Sequence, residues 1–312
     1  MFSEEEKILL MALQYNFPLS EEPYFDLAEL TGLGIEYVFE KTREFLEKGV
    51  VKRIGAQLNY KAFSKIAFAA LVGAKVEDFS AIEIINSYNP KHNYLREGER
   101  YNVWFTIKAE SKASLRRLAN EIAKKCSIRD YVFLPSKRVY KMDVKYDLFR
   151  GISFSTAGLE SSRVPKVEEI VNPKLLIELE RNFRIERRPF KGIAKNFGLE
   201  EGELLSLVEE LIERRVIRGF YGVLRERKIG FNENAMNMVE TDKPSKVALR
   251  LLKEFPEITH LIERETENWR FPLYFMVHAT SRKPIEEIGE KVKRISGVKS
   301  IKTLYSLKDL KN

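Results

Sequence analysis

The pattern His-x-x-x-Arg-Glu occurs twice, as His92-Asn93-Tyr94-Leu95-Arg96-Glu97 and as His260-Leu261-Ile262-Glu263-Arg264-Glu265. Histidine titrates near neutral pH and can deliver protons. Arginine presents a planar fork suited to gripping a carboxylate through two bonds. Alternation along a strand places His92, Tyr94 and Arg96 on one face and Leu95 on the other. His260, Ile262 and Arg264 repeat that arrangement. Further on, Val103, Phe105 and Ile107 alternate with Trp104, Thr106 and Lys108, and Leu273, Phe275 and Val277 alternate with Tyr274, Met276 and His278. The apolar sets should face helices, leaving the others on an open face. Charges that merely decorate an edge strand are the competing reading for His92 and Arg96, and recurrence in both copies weighs against it. His278 aligns with Lys108, so a plain cationic surface position competes for that pair. Tryptophans often serve as core anchors.

These patterns belong to a larger repeat. Pro23-Tyr24-Phe25-Asp26-Leu27-Ala28 aligns with Pro189-Phe190-Lys191-Gly192-Ile193-Ala194, 166 residues later, and Leu134 aligns with Leu304, 170 residues later. Ordered matches over nearly a whole unit point to duplication, with a few loop insertions explaining the drift.

Each copy opens with three helices. Ser3 caps residues 3–13 with Glu6 completing a capping box. Pro23 starts a second helix and Gly32 stops it. Val38, Thr42 and Phe45 set the third, and Val50–Leu58 reads as a strand suited to a wing, which makes a winged helix-turn-helix. The second part reads strand, helix, strand, strand, helix, strand over 67–76, 79–88, 91–97, 101–110, 112–125 and 130–145, the ferredoxin-like order. The expectation is an α+β chain, a tandem duplication of a winged helix-turn-helix plus a ferredoxin-like βαββαβ module. The helix-turn-helix modules span 1–60 and 167–230, the ferredoxin-like domains 61–149 and 231–312, and a Ser- and Gly-rich linker 150–166.

The 312-residue chain has room for several cores. Its 44% hydrophobic and 32% charged content argues against disorder. A net charge of +8 favours acidic partners without choosing among nucleic acid, an anionic membrane surface or a polyanionic small molecule. A single cysteine, Cys126, rules out an intramolecular disulfide and any cysteine-cluster metal site, and fits a reducing cytoplasm. Cys126 ends a helix and is expected to be inert. No metal site is expected from the three histidines. The longest apolar run, near 67–76, falls short of the roughly 20 residues a membrane helix needs.

A winged helix-turn-helix followed by a ferredoxin-like sheet resembles the Lrp/AsnC regulators. Lys91-His-Asn-Tyr-Leu-Arg-Glu97, Tyr101-Asn-Val-Trp-Phe-Thr106, Asn234-Ala-Met-Asn237, Ile258-Thr-His260, Tyr274-Phe-Met-Val-His278 and Leu304-Tyr-Ser-Leu-Lys308 are similar to segments of one branch, the siroheme decarboxylases. The resemblance covers both copies, as if two homologous subunits that pair in the family were fused into an intramolecular pseudo-dimer. It implies removal of acetate carboxyl groups from siroheme, to didecarboxysiroheme, on a route to haem or haem d1. On that reading His92 and His260 are the acids and Arg96 and Arg264 anchor carboxylates, with Tyr94 as an additional donor. Trp104, Trp269 and Tyr274 would pack on the macrocycle, and Lys108, His278, Arg53 and Arg218 would serve its anionic rim. The iron tetrapyrrole is substrate, and no cofactor is required. Two departures weaken the second copy. Ile262 stands where an aromatic is usual, and Trp269-Arg270-Phe271-Pro272-Leu273-Tyr274 replaces a Trp-Pro-Tyr run.

The main alternative is an Lrp/AsnC-like DNA-binding transcriptional regulator, and another is a small-molecule sensor. A helix that reads DNA needs Lys and Arg. The candidate at Ile35–Lys48 mixes four glutamates with three cations, and its equivalent at Glu200–Glu213 holds six glutamates and no cation. DNA is therefore a disfavoured partner. Further homo-oligomerisation is left open.

Overall fold

The computed structural model describes residues 2–59, 62, 68–98, 100–159, 165, 167, 171–181 and 183–311. The chain is α+β and divides into two compact units. The first comprises Met1–Ser64, Lys145–Gly151 and Arg163–Gly230, and the second Lys65–Val144, Ile152–Ser162 and Phe231–Asn312. Among the described residues no helix is long and apolar enough to cross a membrane.

The first unit carries the helix-turn-helix-like elements. Helix α1 (Glu4–Tyr15) has the Ser3/Glu6 capping box, with the Ser3 Oγ accepting from the Glu6 amide at 3.1 Å. Pro23 starts α2 (Pro23–Thr31), and Gly32 ends it at φ +71°, where glycine is unstrained. Then come α3 (Ile35–Glu47) and strand β1 (Val51–Leu58). The later half repeats the series as α6 (Pro173–Arg181), α7 (Pro189–Asn196), α8 (Glu201–Glu213) and β8 (Ile217–Leu224). Short strand β6 (Tyr146–Asp147) is tied to α1 by Gln14, whose Nε2 donates to the Tyr146 carbonyl at 2.7 Å. Phe17, Phe183, Phe190 and Phe220 meet as one aromatic core.

The expected wings are not free. Strand β1 pairs antiparallel with β8, from Val51 opposite Leu224 to Leu58 opposite Ile217. Each strand leaves a row of backbone groups unpaired by its own copy, and its repeat satisfies them.

The second unit holds the sheet. Its first half runs β2 (Phe68–Ala74), α4 (Ala81–Ser87), β3 (Asn93–Arg96), β4 (Val103–Ala109), α5 (Lys112–Lys125) and β5 (Tyr131–Met142). Its second half runs β9 (Glu233–Glu240), α9 (Pro244–Glu254), β10 (His260–Arg264), β11 (Leu273–Ala279), α10 (Arg282–Lys293) and β12 (Ser300–Asp309). Within the stretch read as a linker, β7 (Ile152–Ser153) pairs with the end of β11, while residues 160–164 and 166 lie outside the described residues.

Strand pairing closes the two halves on each other, in the order β10-β5-β2-β4-β3-β12-β9-β11, with β11 returning to β10. The result is an eight-stranded barrel with every edge used. Val103, Phe105, Ile107 and Leu95 pack on the α4/α5 side, and Leu273, Phe275, Val277 and Leu261 in the α9/α10 core. The face expected to be open is therefore the barrel interior, covered by the other half. The motif glutamates brace this joint: Glu97 pairs with Arg282 at 2.6 Å, and Glu265 pairs with Lys112.

Candidate functional site

Strand β3 and the residue just before it, His92, carry the first group of candidates. His92 and Tyr94 are half-buried and stack, ring centroids 6.1 Å apart at 20°. The Arg96 guanidinium lies over the Tyr94 ring at 5.1 Å and is itself buried, 4% exposed. Arg96 Nη1 donates to the Leu304 carbonyl at 3.1 Å and to the Asn234 carbonyl at 3.4 Å, and Nη2 donates to Asn234 Oδ1 at 3.3 Å. The Asn234 Nδ2 lies 3.3 Å from Nδ1 of buried His278. One cluster thus draws His92, Tyr94 and Arg96 from the first half and Asn234 and His278 from the second. Opposite Arg96 on β12, the buried Oγ of Ser306 has no hydrogen-bond partner among the described residues.

The related cluster on β10 is simpler. Arg264 Nη1 donates to the Leu134 carbonyl at 3.1 Å and to Ser136 Oγ at 3.3 Å, and the guanidinium lies 5.2 Å from the Tyr274 ring centroid. Among the described residues its buried Nε has no hydrogen-bond partner. Among the described residues Arg264 makes no salt bridge. Burial pushes its guanidinium down to about 10, so it stays charged at neutral pH. Half-buried His260 has its Nδ1 3.1 Å from Thr259 Oγ1. In the places of Asn234 and His278, the cross-strand pair here is Ala69 and Lys108. The Lys108 side chain reaches solvent, yet protein crowding around it lowers its pKa below the ordinary lysine value.

The aromatic candidates divide. Trp104 and Tyr274, 2% and 3% exposed, fill the middle of the barrel with Leu71, Leu134, Met236, Met238 and Leu304. Trp104 fits because its neighbour across β2 is Gly73, where a Cβ would lie 2.6 Å from the indole. Alternation puts Trp104 and Tyr274 on an open face; instead they are buried inside the barrel, because large side chains from both halves meet there. Trp269 is half-buried, and its Nε1 donates to the Tyr274 hydroxyl at 2.7 Å.

Arg53 and Arg218 belong to the helical unit, where local acceptors engage them. Arg53 donates to the Ala56 and Glu180 carbonyls and to Gln57 Oε1, and Arg218 to the Leu58 carbonyl and Asn59 Oδ1. The structure therefore gathers His92, Tyr94, Arg96 and His278 in one cluster, with Arg264 and Tyr274 in another. Arg53 and Arg218 join neither. Sequence reading assigned no role to Asn234. Its signal was an amide heading an inward set otherwise made of Met236 and Met238.

Comparison with known proteins fits this architecture. An AsnC-like ligand binding domain model matches residues 68–141 and 228–311, together about half of the chain. A siroheme decarboxylase NirDL-like HTH domain model matches residues 6–51 and 172–218. The siroheme decarboxylase NirD subunit of Pseudomonas aeruginosa is 32% identical over 141 residues, which is 45% of this chain and 93% of that protein. The chain belongs to the siroheme decarboxylase family. Another relative in this family, the siroheme decarboxylase of Hydrogenobacter thermophilus, is 27% identical over 319 residues, covering 100% of this chain and 94% of that one. Family membership thus extends over both halves, as two related subunits in one chain. A crystal structure of the siroheme decarboxylase NirDL in co-complex with an iron-uroporphyrin III analogue superposes with TM-score 0.64 at 24% identity. It covers 99% of this chain and 93% of that one, and it supports the fold.

Proposed function

We propose that this siroheme decarboxylase family member removes carboxyl groups from acetate side chains of siroheme, a carboxy-lyase reaction yielding didecarboxysiroheme. Each turnover converts a –CH2–COO⁻ group and one proton into a methyl group and carbon dioxide. The electron pair of the broken bond needs a sink, which protonation of the adjoining ring carbon supplies. The tetrapyrrole is the substrate, and the residues named here anchor it and move protons.

Arg264 carries the placement of the site. A buried guanidinium without a carboxylate partner among the described residues, and with one N–H unmet, is costly unless an anion completes it. Arg96 is its counterpart. We assign both as carboxylate anchors, His92 and His260 as acids, and Tyr94 as a further donor. Lys108, His278 and Trp269 serve the rim. Trp104 and Tyr274 form the packed floor beneath it. His92, Tyr94, His260 and Lys108 retain exposed surface, which lets a macrocycle approach from outside the packed centre. In this reading the chain is a tandem duplication of a helix-turn-helix plus a ferredoxin-like module. The repeated strand–helix–strand–strand–helix–strand order supports it.

Anaerobic incubation with siroheme followed by mass spectrometry tests the function. Stepwise loss of carbon dioxide is expected, and recovery of intact siroheme overturns it.

A further inference from the structure

We propose that Asn234 is a positioning residue that holds the proton of His278 on Nε2. The argument starts from Arg96, a side chain that donates hydrogen bonds and accepts none. Its Nη2 lies 3.3 Å from the Asn234 side chain, so that contact must be the amide oxygen Oδ1. The amide is thereby oriented, and its other end, Nδ2, is a donor only. Nδ2 lies 3.3 Å from Nδ1 of His278. A donor there requires Nδ1 to accept, so the ring proton sits on Nε2. A proton on Nδ1 would set two N–H groups against each other in a buried site, with His278 5% and Asn234 6% exposed.

Three neighbours thus form a one-way series: Arg96 donates to Asn234, Asn234 donates to His278, and His278 is left with a donor at Nε2. Register places His278 on the interior face of β11, across from Asn234 on β9. On the reading that the Arg96 cluster receives an acetate carboxylate, His278 adds an aligned donor beside the guanidinium. The other half lacks this device, because Ala69 and Lys108 stand in the equivalent places. The two clusters are therefore chemically unequal.

Only three histidines occur in the chain, so their ring nitrogens can be resolved individually. The test is a long-range proton–nitrogen NMR spectrum of the ligand-free full chain labelled with 15N-histidine, assigned with His92→Gln, His260→Gln and His278→Gln. The expected His278 signals are an unprotonated Nδ1 and a protonated Nε2. Asn234→Asp replaces the donor with an acceptor and should move a proton onto Nδ1. Its kcat/KM for siroheme should fall by about 10- to 100-fold. A wild-type His278 protonated on Nδ1, or an Asn234→Asp spectrum identical to wild type, overturns the proposal; the wild-type spectrum decides even if the variant fails to fold. If the expected spectrum accompanies a protein that leaves siroheme unchanged, the decarboxylase reading fails and the role of Asn234 stands.

Discussion

Arg96 and Arg264 hold the same post in opposite halves of the barrel: each places Nη1 3.1 Å from a backbone carbonyl of the other half, that of Leu304 for Arg96 and of Leu134 for Arg264. The second arginine is the cleaner probe, since no carboxylate among the described residues bridges it. Arg264→Met keeps volume and removes a desolvated charge, so folding stability should hold or rise. A bound carboxylate would lose a charge-assisted bond worth about 1.5–3 kcal/mol, so siroheme affinity should fall roughly 10- to 100-fold. Thermal melts and a siroheme titration of the same variant read both effects. A drop in stability with unchanged affinity would make Arg264 purely structural.

His92 and His260 bear on chemistry rather than grip. His92→Ala should lower kcat by about 10²- to 10⁴-fold, the usual contribution of a positioned acid, with little change in siroheme affinity. His260→Ala should act in the same direction. Single-turnover decarboxylation compared with equilibrium binding separates the two effects. Equal losses in both measurements would remove the histidines from the acid role.

Much of this was legible in the sequence, for local reasons. Ser3 with Glu6, Pro23 with Gly32, and the alternation of Val103, Phe105 and Ile107 each announce an element from neighbours alone. What escaped was long-range. Neither β1 nor β8 advertises the other as its partner, so the strand suited to a wing gave no hint that it pairs with its repeat. Trp104 reads as outward by alternation, and only closure of the barrel turns that direction into a core. Asn234 acquires a role because Arg96, 138 residues away, orients its amide. The motif histidines and arginines were visible because duplication printed them twice.

Lys141 gives a pH-dependent signature of the barrel wall. It is 1% exposed, and its Nζ donates to the Ser155 carbonyl at 2.6 Å and the Pro256 carbonyl at 3.2 Å. Burial pushes its pKa down to about 8, with Asp143 and Glu257 opposing the shift. Between pH 8 and the ordinary lysine range the unfolded chain binds the extra proton, so this residue's contribution to stability rises with pH. At about 1.4 kcal/mol per unit, the gain across that window is about 3 kcal/mol. The stability of wild type relative to Lys141→Met should therefore improve by that amount from pH 8 to 10.5, read by denaturant unfolding at each pH. A flat difference would mean that Lys141 titrates as a solvated lysine.

Gly73 tests whether the centre of the barrel is closed. A Cβ at this position would sit 2.6 Å from the Trp104 ring, which is packed among Leu71, Met236 and Tyr274 and bonded through Nε1 to the Tyr101 carbonyl at 3.2 Å. The indole cannot retreat without disturbing side chains from both halves, so Gly73→Ala should destabilise the fold by about 1–3 kcal/mol. Trp104→Phe in the same background shortens the ring and should recover part of that loss, a coupling that a double-mutant cycle reads directly. If Gly73→Ala were neutral and the two substitutions simply additive, Trp104 would have open space beside it, and the macrocycle could be placed inside the barrel after all.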